Sequence, residues 1–128
     1  MKIVTAIARI LLGLMFLVFG LNGFLQFLPM PMPTGQAGQY MTVIFVSHYA
    51  YLIFAAQILG GVLLLVNRFV PLGLTILAGV LINILAYHFA MDLKGVPPGI
   101  LAVILWFVVF YSVRSSFAGI FAARTGTP

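Results

Sequence analysis

The sequence predicts an all-α integral membrane protein, a four-transmembrane-helix bundle with a short interfacial segment between helices 1 and 2. Three observations carry that expectation. Of 128 residues, 64% are hydrophobic and only 5% are charged, whereas a soluble domain carries about a quarter charged residues. The hydrophobic share, about 82 residues, supplies about four spans at roughly 20 residues each. Proline, glycine and polar breaks divide the chain into stretches of about that length. Too few polar residues remain to coat a water-facing globule, so soluble enzymes, nucleic-acid binders and disordered tails are excluded. With loops this short, residues 1–128 read as a single membrane domain.

Helix 1 is expected from about Ile3 to Leu28 (3–28). The run Pro29-Met30-Pro31-Met32-Pro33 ends it, because alternating prolines cannot continue a helix. Its apolar stretch exceeds the roughly 7–15 residues of a signal-peptide core, and no small-residue cleavage site follows, so it reads as a retained span. Thr34 to Ser47 form the interfacial segment, in which Gln36, Gln39 and Thr42 recur at spacing three with Tyr40, Ile44 and Phe45 between them. The alternative is an early extension of helix 2. Helix 2 is expected over 49–66, and Asn67, Arg68 and Pro71 mark the turn into helix 3 over 71–91. So short a turn makes the two an antiparallel hairpin. A loop from Asp92 to Gly95 follows. Pro97 and Pro98 then open helix 4, since proline suits a first helical turn. That helix is expected over 98–121, and the tail Ala123–Pro128 is expected to fray.

The net charge of +5 comes from six Lys/Arg and one acid spread along the chain, without the cluster a nucleic-acid site needs. Lys2, Arg9, Arg68, Arg114 and Arg124 fall on one side of the four spans. Lys94, offset by Asp92, falls on the other. Positive residues favour the cytoplasmic side, so both termini are expected there, with the proline-rich loop and the Asp92–Lys94 loop outside. There are no cysteines, which excludes disulfides and thiol catalysis.

Hydrocarbon cannot satisfy polar side chains, so each one within a span needs protein, water or a ligand beside it. Asn22 and Gln26, four apart, are expected on one face in the outer half of helix 1. Gln57, Gly61, Leu64 and Arg68 make a stripe on helix 2. Thr75, Gly79, Asn83, Ala86 and Ala90 make a similar stripe on helix 3. Small residues let helices approach while amides hydrogen-bond across the gap, so Gln57 and Asn83 are expected to point into the bundle. The other use of these residues is a polar pocket for a head group such as a quinone carbonyl. The candidate ligand contacts are Asn22, Gln26, Gln57, Asn83 and His88, biased to the outer leaflet.

His88 lies four residues before Asp92, which could hold one ring nitrogen and leave the other for a ligand or proton. Plain solvation at the interface is the alternative. His48 and His88 raise a bis-histidine haem or pigment, but they differ in depth and have neither a third ligand nor an attachment motif. No metal, haem or pigment is therefore expected. Arg9 is expected to snorkel as a topology anchor, and Trp106 lies deep enough that its ring N–H needs a partner. Asp92 is the sole acid, and no phosphate loop, nucleophile elbow or zinc helix occurs. No catalytic residue is expected.

Three stretches resemble the DoxX-like family of small membrane proteins. The first is Ala8-Arg9-Ile10-Leu11-Leu12-Gly13-Leu14 with Phe16 and Phe19-Gly20-Leu21-Asn22-Gly23-Phe24. The second is Gln57-Ile58-Leu59-Gly60-Gly61 with Leu63-Leu64-Leu65 and Arg68. The third is Asn83-Ile84 with His88. Each is low in specificity alone; their order and spacing, with the loop lengths, extend the likeness over nearly the whole chain. The resemblance implies a four-helix bundle in the bacterial cytoplasmic (inner) membrane, associated with membrane redox chemistry and quinone reduction. The chain departs from any thiol-based role, having no cysteine, and no catalytic residue carries over. Arg9, Gln57, Gly60, Gly61, Asn83 and His88 carry over as shared structural or binding positions. The expected function is a non-catalytic accessory or assembly subunit of a larger membrane redox complex, with the lipid bilayer and that complex as partners and no nucleic acid. The alternative is a quinone- or lipid-binding redox subunit.

Overall fold

The computed structural model of the chain describes residues 2–126, and every regular element among them is helical. The elements are α1 (Lys2–Leu25), α2 (Gly35–Val46), α3 (Ala50–Leu65), α4 (Val70–Met91) and α5 (Pro97–Val113). Short 3-10 segments lie at Leu93–Gly95 and Arg114–Phe121. α1, α3, α4 and α5 form a closed ring in which α1 packs on α3, α3 on α4, α4 on α5 and α5 back on α1. α2 lies outside the ring, against the ends of α3 and α4.

Glycines set the closest contact. A Cβ on Gly61 of α3 would fall 2.8 Å from both the carbonyl oxygen of Gly13 and the amide nitrogen of Leu17 on α1. One on Gly23 of α1 would fall 2.2 Å from the Phe54 ring. The backbones of α1 and α3 therefore touch, as small residues permit in an apolar medium. Gly60 of α3 and Gly73 of α4 play the same part, since a Cβ on Gly60 would meet Leu77 at 2.6 Å. Leu12, Leu64, Leu74, Leu77 and Val109 fill the centre and are fully buried. Trp106 Nε1 donates to Leu74 O at 2.8 Å, which gives the deep indole its partner.

α1, α4 and the stretch Pro97–Phe121 are each long and apolar enough to cross a membrane. α3 has 16 residues, about 24 Å of helix at 1.5 Å per residue. It reaches span length only together with α2, from which it is bent by 84°. The chain thus has three membrane-length helices, or four if the bent pair counts as one span. Large apolar side chains such as Ile3, Leu52, Ile82 and Phe107 cover the outside, as a multi-pass membrane protein requires.

Several boundaries and faces differ from expectation. α1 stops at Leu25, not Leu28, because Gln26 takes a left-handed backbone (φ 52°) and turns the chain. Asn22 Oδ1 then accepts the Leu28 N–H at 2.7 Å. Asn22 and Gln26 therefore do not share a helix face. The interfacial segment is a separate helix and not an extension of α3: His48 is left-handed (φ 65°) and makes the corner. The last expected helix is α-helical only to Val113 and tightens to 3-10 geometry over Arg114–Phe121. Residues 122–126 carry no regular helix, and the last two residues of the expected frayed tail lie outside the described residues. Finally, the α4 stripe faces outward: Thr75, Gly79, Asn83, Ala86 and Ala90 are all exposed. Leu74, Leu77, Val80 and Leu81 face the core instead, because they fill interhelical space that small side chains would leave empty. Asn83 thus does not point into the bundle, whereas Gln57 is buried there.

Candidate functional site

α2 lies across the end of the ring away from the termini, and a half-enclosed cavity of about 850 Å³ remains beneath it. That volume lies within the roughly 300–1,000 Å³ typical of small-molecule sites. α2 is amphipathic in the expected sense. Ala37 and Ile44 are buried beneath it with Tyr40 and Met41 partly so, while Gln36, Gln39 and Thr42 are exposed. Two aromatic contacts pin it. Tyr40 lies against Tyr87 of α4 with ring centroids 5.3 Å apart, and Phe45 lies against Phe54 of α3 at 5.6 Å. Apolar side chains from α1, α4 and α5, among them Phe16, Leu81, Ile84 and Ala102, form the rest of the lining.

All five candidate contacts border this one cavity. Gln57 stands near the middle of α3, 6% exposed, and makes no hydrogen bond to any described residue. Among the described residues, no fully sealed side-chain nitrogen or oxygen lacks a partner, so the Gln57 carboxamide opens onto the cavity. A carboxamide both donates and accepts, so Gln57 can exchange hydrogen bonds with whatever occupies the cavity. Asn22 is 8% exposed; its oxygen is taken by Leu28 N, and its amide nitrogen is left for the cavity. Gln26 sits exposed on the turn after α1. Asn83 is exposed and also borders the cavity, which places it at the rim where the cavity meets the outer side of α4.

His88 is half-buried on the last turn of α4. Its Nδ1 lies 3.1 Å from the main-chain oxygen of Asp92 and 3.8 Å from the carboxylate Oδ2. Asp92 therefore orients the ring chiefly through its backbone, not its carboxylate, because the chain leaves the helix there and turns its carbonyl to the ring. In the tautomer whose Nδ1–H donates to Asp92 O, Nε2 remains an acceptor. His48 lies at the α2–α3 corner, its ring stacked on Tyr51 with centroids 5.3 Å apart, and does not border the cavity.

The expected anchors sit at the other end. Lys2, Arg68, Arg114 and Arg124 are exposed, and Arg114 lies over the Tyr111 ring, 3.9 Å from its centroid. Arg9 differs from a snorkelling residue. It is half-buried and donates to Leu64 O, and at 3.5 Å to Leu65 O, on the last turn of α3.

The cavity wall contains amides, an imidazole, a carboxylate and phenols but no Ser, Thr, Lys or Arg. Such a set can hold and orient a hydrogen-bonding head group. It supplies no nucleophile paired with a base. Sequence reasoning placed Tyr40 and Phe45 only on the interfacial segment and missed Phe54 and Tyr87, because aromatics in so apolar a chain give no separate signal.

No family model, curated protein or solved structure matches the chain.

Proposed function

We propose that this chain is a non-catalytic membrane subunit that binds an amphipathic small molecule, a quinone or a lipid, beneath α2. The observation that carries this reading is Gln57, a buried carboxamide with no protein partner, opening onto a cavity of ligand size. The head group would satisfy Gln57, with Asn22, Asn83 and His88 around it, and the tail would follow the apolar lining. The test is to purify the chain in mild detergent and analyse what organic solvent extracts from it. A quinone or lipid should accompany the wild type in near-stoichiometric amount and be depleted from a Gln57→Leu variant that melts normally. Wild-type protein free of any such molecule would defeat the reading.

A second reading, an accessory subunit of a larger membrane redox complex, is favoured by the outer face of α4. Thr75, Gly79 and Asn83 give that face the small, polar character of a helix-packing surface, and no helix among the described residues covers it. The two readings are compatible. In both, the chain is taken as a DoxX-like protein of the bacterial inner membrane with four spans, α2 resting at the outer interface and both termini cytoplasmic. The arginines clustered at the terminal end support that orientation. A C-terminal reporter active only in the periplasm would refute it.

A further inference from the structure

We infer that the cavity beneath α2 selects an uncharged head group, with Gln57 as the residue that determines specificity, and excludes amphiphiles that carry a phosphate. The inference rests on the binding function proposed above and adds the chemistry of the head. Phosphate is held by Lys, Arg or helix N-terminal N–H groups. No Lys or Arg borders the cavity. Lys94 is exposed on the neighbouring turn and is not part of the wall. The one formal charge on the wall is negative, the carboxylate of Asp92.

The α5 N-terminus also meets the wall, through Pro98 and Gly99. Helix starts attract anions through their free N–H groups, but α5 begins Pro97-Pro98, and proline has no N–H. Two donors are thus missing where an anion would need them. An anion would meet the Asp92 carboxylate with no compensating charge on the wall.

What the wall does offer is neutral. Gln57 is more than nine-tenths buried and unpartnered, and a carboxamide both donates and accepts. Asn22 adds an N–H₂ donor, since its oxygen is occupied by Leu28 N. His88 adds an acceptor in the tautomer set by Asp92 O. The complement is a head bearing carbonyl or hydroxyl groups on an apolar tail. A quinone and a diacylglycerol share that chemistry.

The experiment measures equilibrium binding of three probes to the purified full chain in detergent: dioctanoylglycerol, dioctanoylphosphatidic acid and a decyl-tailed benzoquinone. The first two have identical tails and differ only in the phosphate. At least one neutral probe should bind about tenfold or more tightly than the phosphatidic acid, and which one does so identifies the source of the head group. Gln57→Leu should weaken that neutral probe by about tenfold. Gln57→Met, closer in shape, serves if the leucine variant does not fold. Phosphatidic acid binding as tightly as the neutral probes would overturn the charge selection while leaving the cavity a binding site. Unchanged neutral-probe affinity in the Gln57 variants would overturn the role of that residue. If no probe binds the wild type, the binding function and this inference fall together.

Discussion

The guanidinium of Arg9 is held by the end of another helix. The last four carbonyls of a helix lack intrahelical partners and carry its negative end. Leu64 O takes only a turn bond from Asn67 N, at 3.2 Å, and accepts Arg9 as well. The charge is thus met by backbone, and α1 is tied to α3. Arg9→Met should lower unfolding stability in detergent by about 1.5–3 kcal/mol, the range for bonds to a charged group. Arg9→Lys should recover only part, since one ammonium does not reproduce the planar fork. A thermal melt of Arg9→Met that overlays the wild type would show that the bond contributes nothing. Trp106→Phe tests a neutral counterpart and should cost about 0.5–1.5 kcal/mol by the same measurement. The sequence marks both residues as needing an explanation, a charge and an indole inside apolar helices. It cannot give their partners, because a main-chain carbonyl is present at every position and carries no mark of its own.

Two glycines separate the packed from the unpacked side of the helices. Gly61 faces backbone atoms of α1 that cannot move aside, whereas a Cβ on Gly79 would meet nothing within 4 Å. Gly61→Ala should destabilise by about 1–3 kcal/mol, as overpacking does. Gly79→Ala should be neutral or stabilise by up to about 1 kcal/mol, through helix propensity alone. Thermal melts of the pair in one detergent check both signs, and equal losses would mean that α4 is rotated from its described position. If a partner helix docks on the outer face of α4, Gly79→Leu should release it without lowering the melting temperature of the free chain. The orientation of α4 was not legible beforehand for a physical reason. Its small-residue stripe and its leucine stripe both have helical period, and in lipid apolar character no longer marks the inside. The break at His48 falls where the expected interfacial segment (34–47) meets helix 2 (49–66), but nothing in Val46-Ser47-His48-Tyr49 announces the left-handed residue that bends the chain there.

Across the whole molecule, accessible surface is 8413 Å², against about 6,700 Å² expected for a soluble globule of 13.9 kDa. The chain buries less of itself than a water-soluble protein must, and its unburied surface is apolar enough to be solvated by lipid. That was legible from composition, as was the all-helical, multi-pass character of the chain. The grouping of Asn22, Gln26, Gln57, Asn83 and His88 around one cavity was legible in outline, because polar residues in an apolar chain are conspicuous and their depths could be counted. The cavity itself was not, since it depends on α2 lying across the ring, held by Tyr40 on Tyr87 and Phe45 on Phe54. Removing both contacts with Tyr40→Ala and Phe45→Ala should free α2. Protease cleavage between residues 26 and 49 should then accelerate while α1, α3, α4 and α5 stay protected. Unchanged cleavage would mean that the rings do not hold the helix.

The brevity of α3 reaches beyond the protein into the bilayer. At 16 residues it covers about 24 Å, less than the roughly 30 Å hydrocarbon thickness that α1 and α4 are long enough to bridge. With α3 alone lining a flank, lipid there would meet a shorter apolar wall than lipid beside α1 and α4, and would thin locally or tilt the molecule to match. A membrane of short acyl chains relieves that mismatch, and one of long chains raises it at a cost of fractions of a kcal/mol per ångström. The protein should therefore melt at a higher temperature in short-chain than in long-chain phosphatidylcholine vesicles. The length of one helix would thus set which membrane thickness suits the protein.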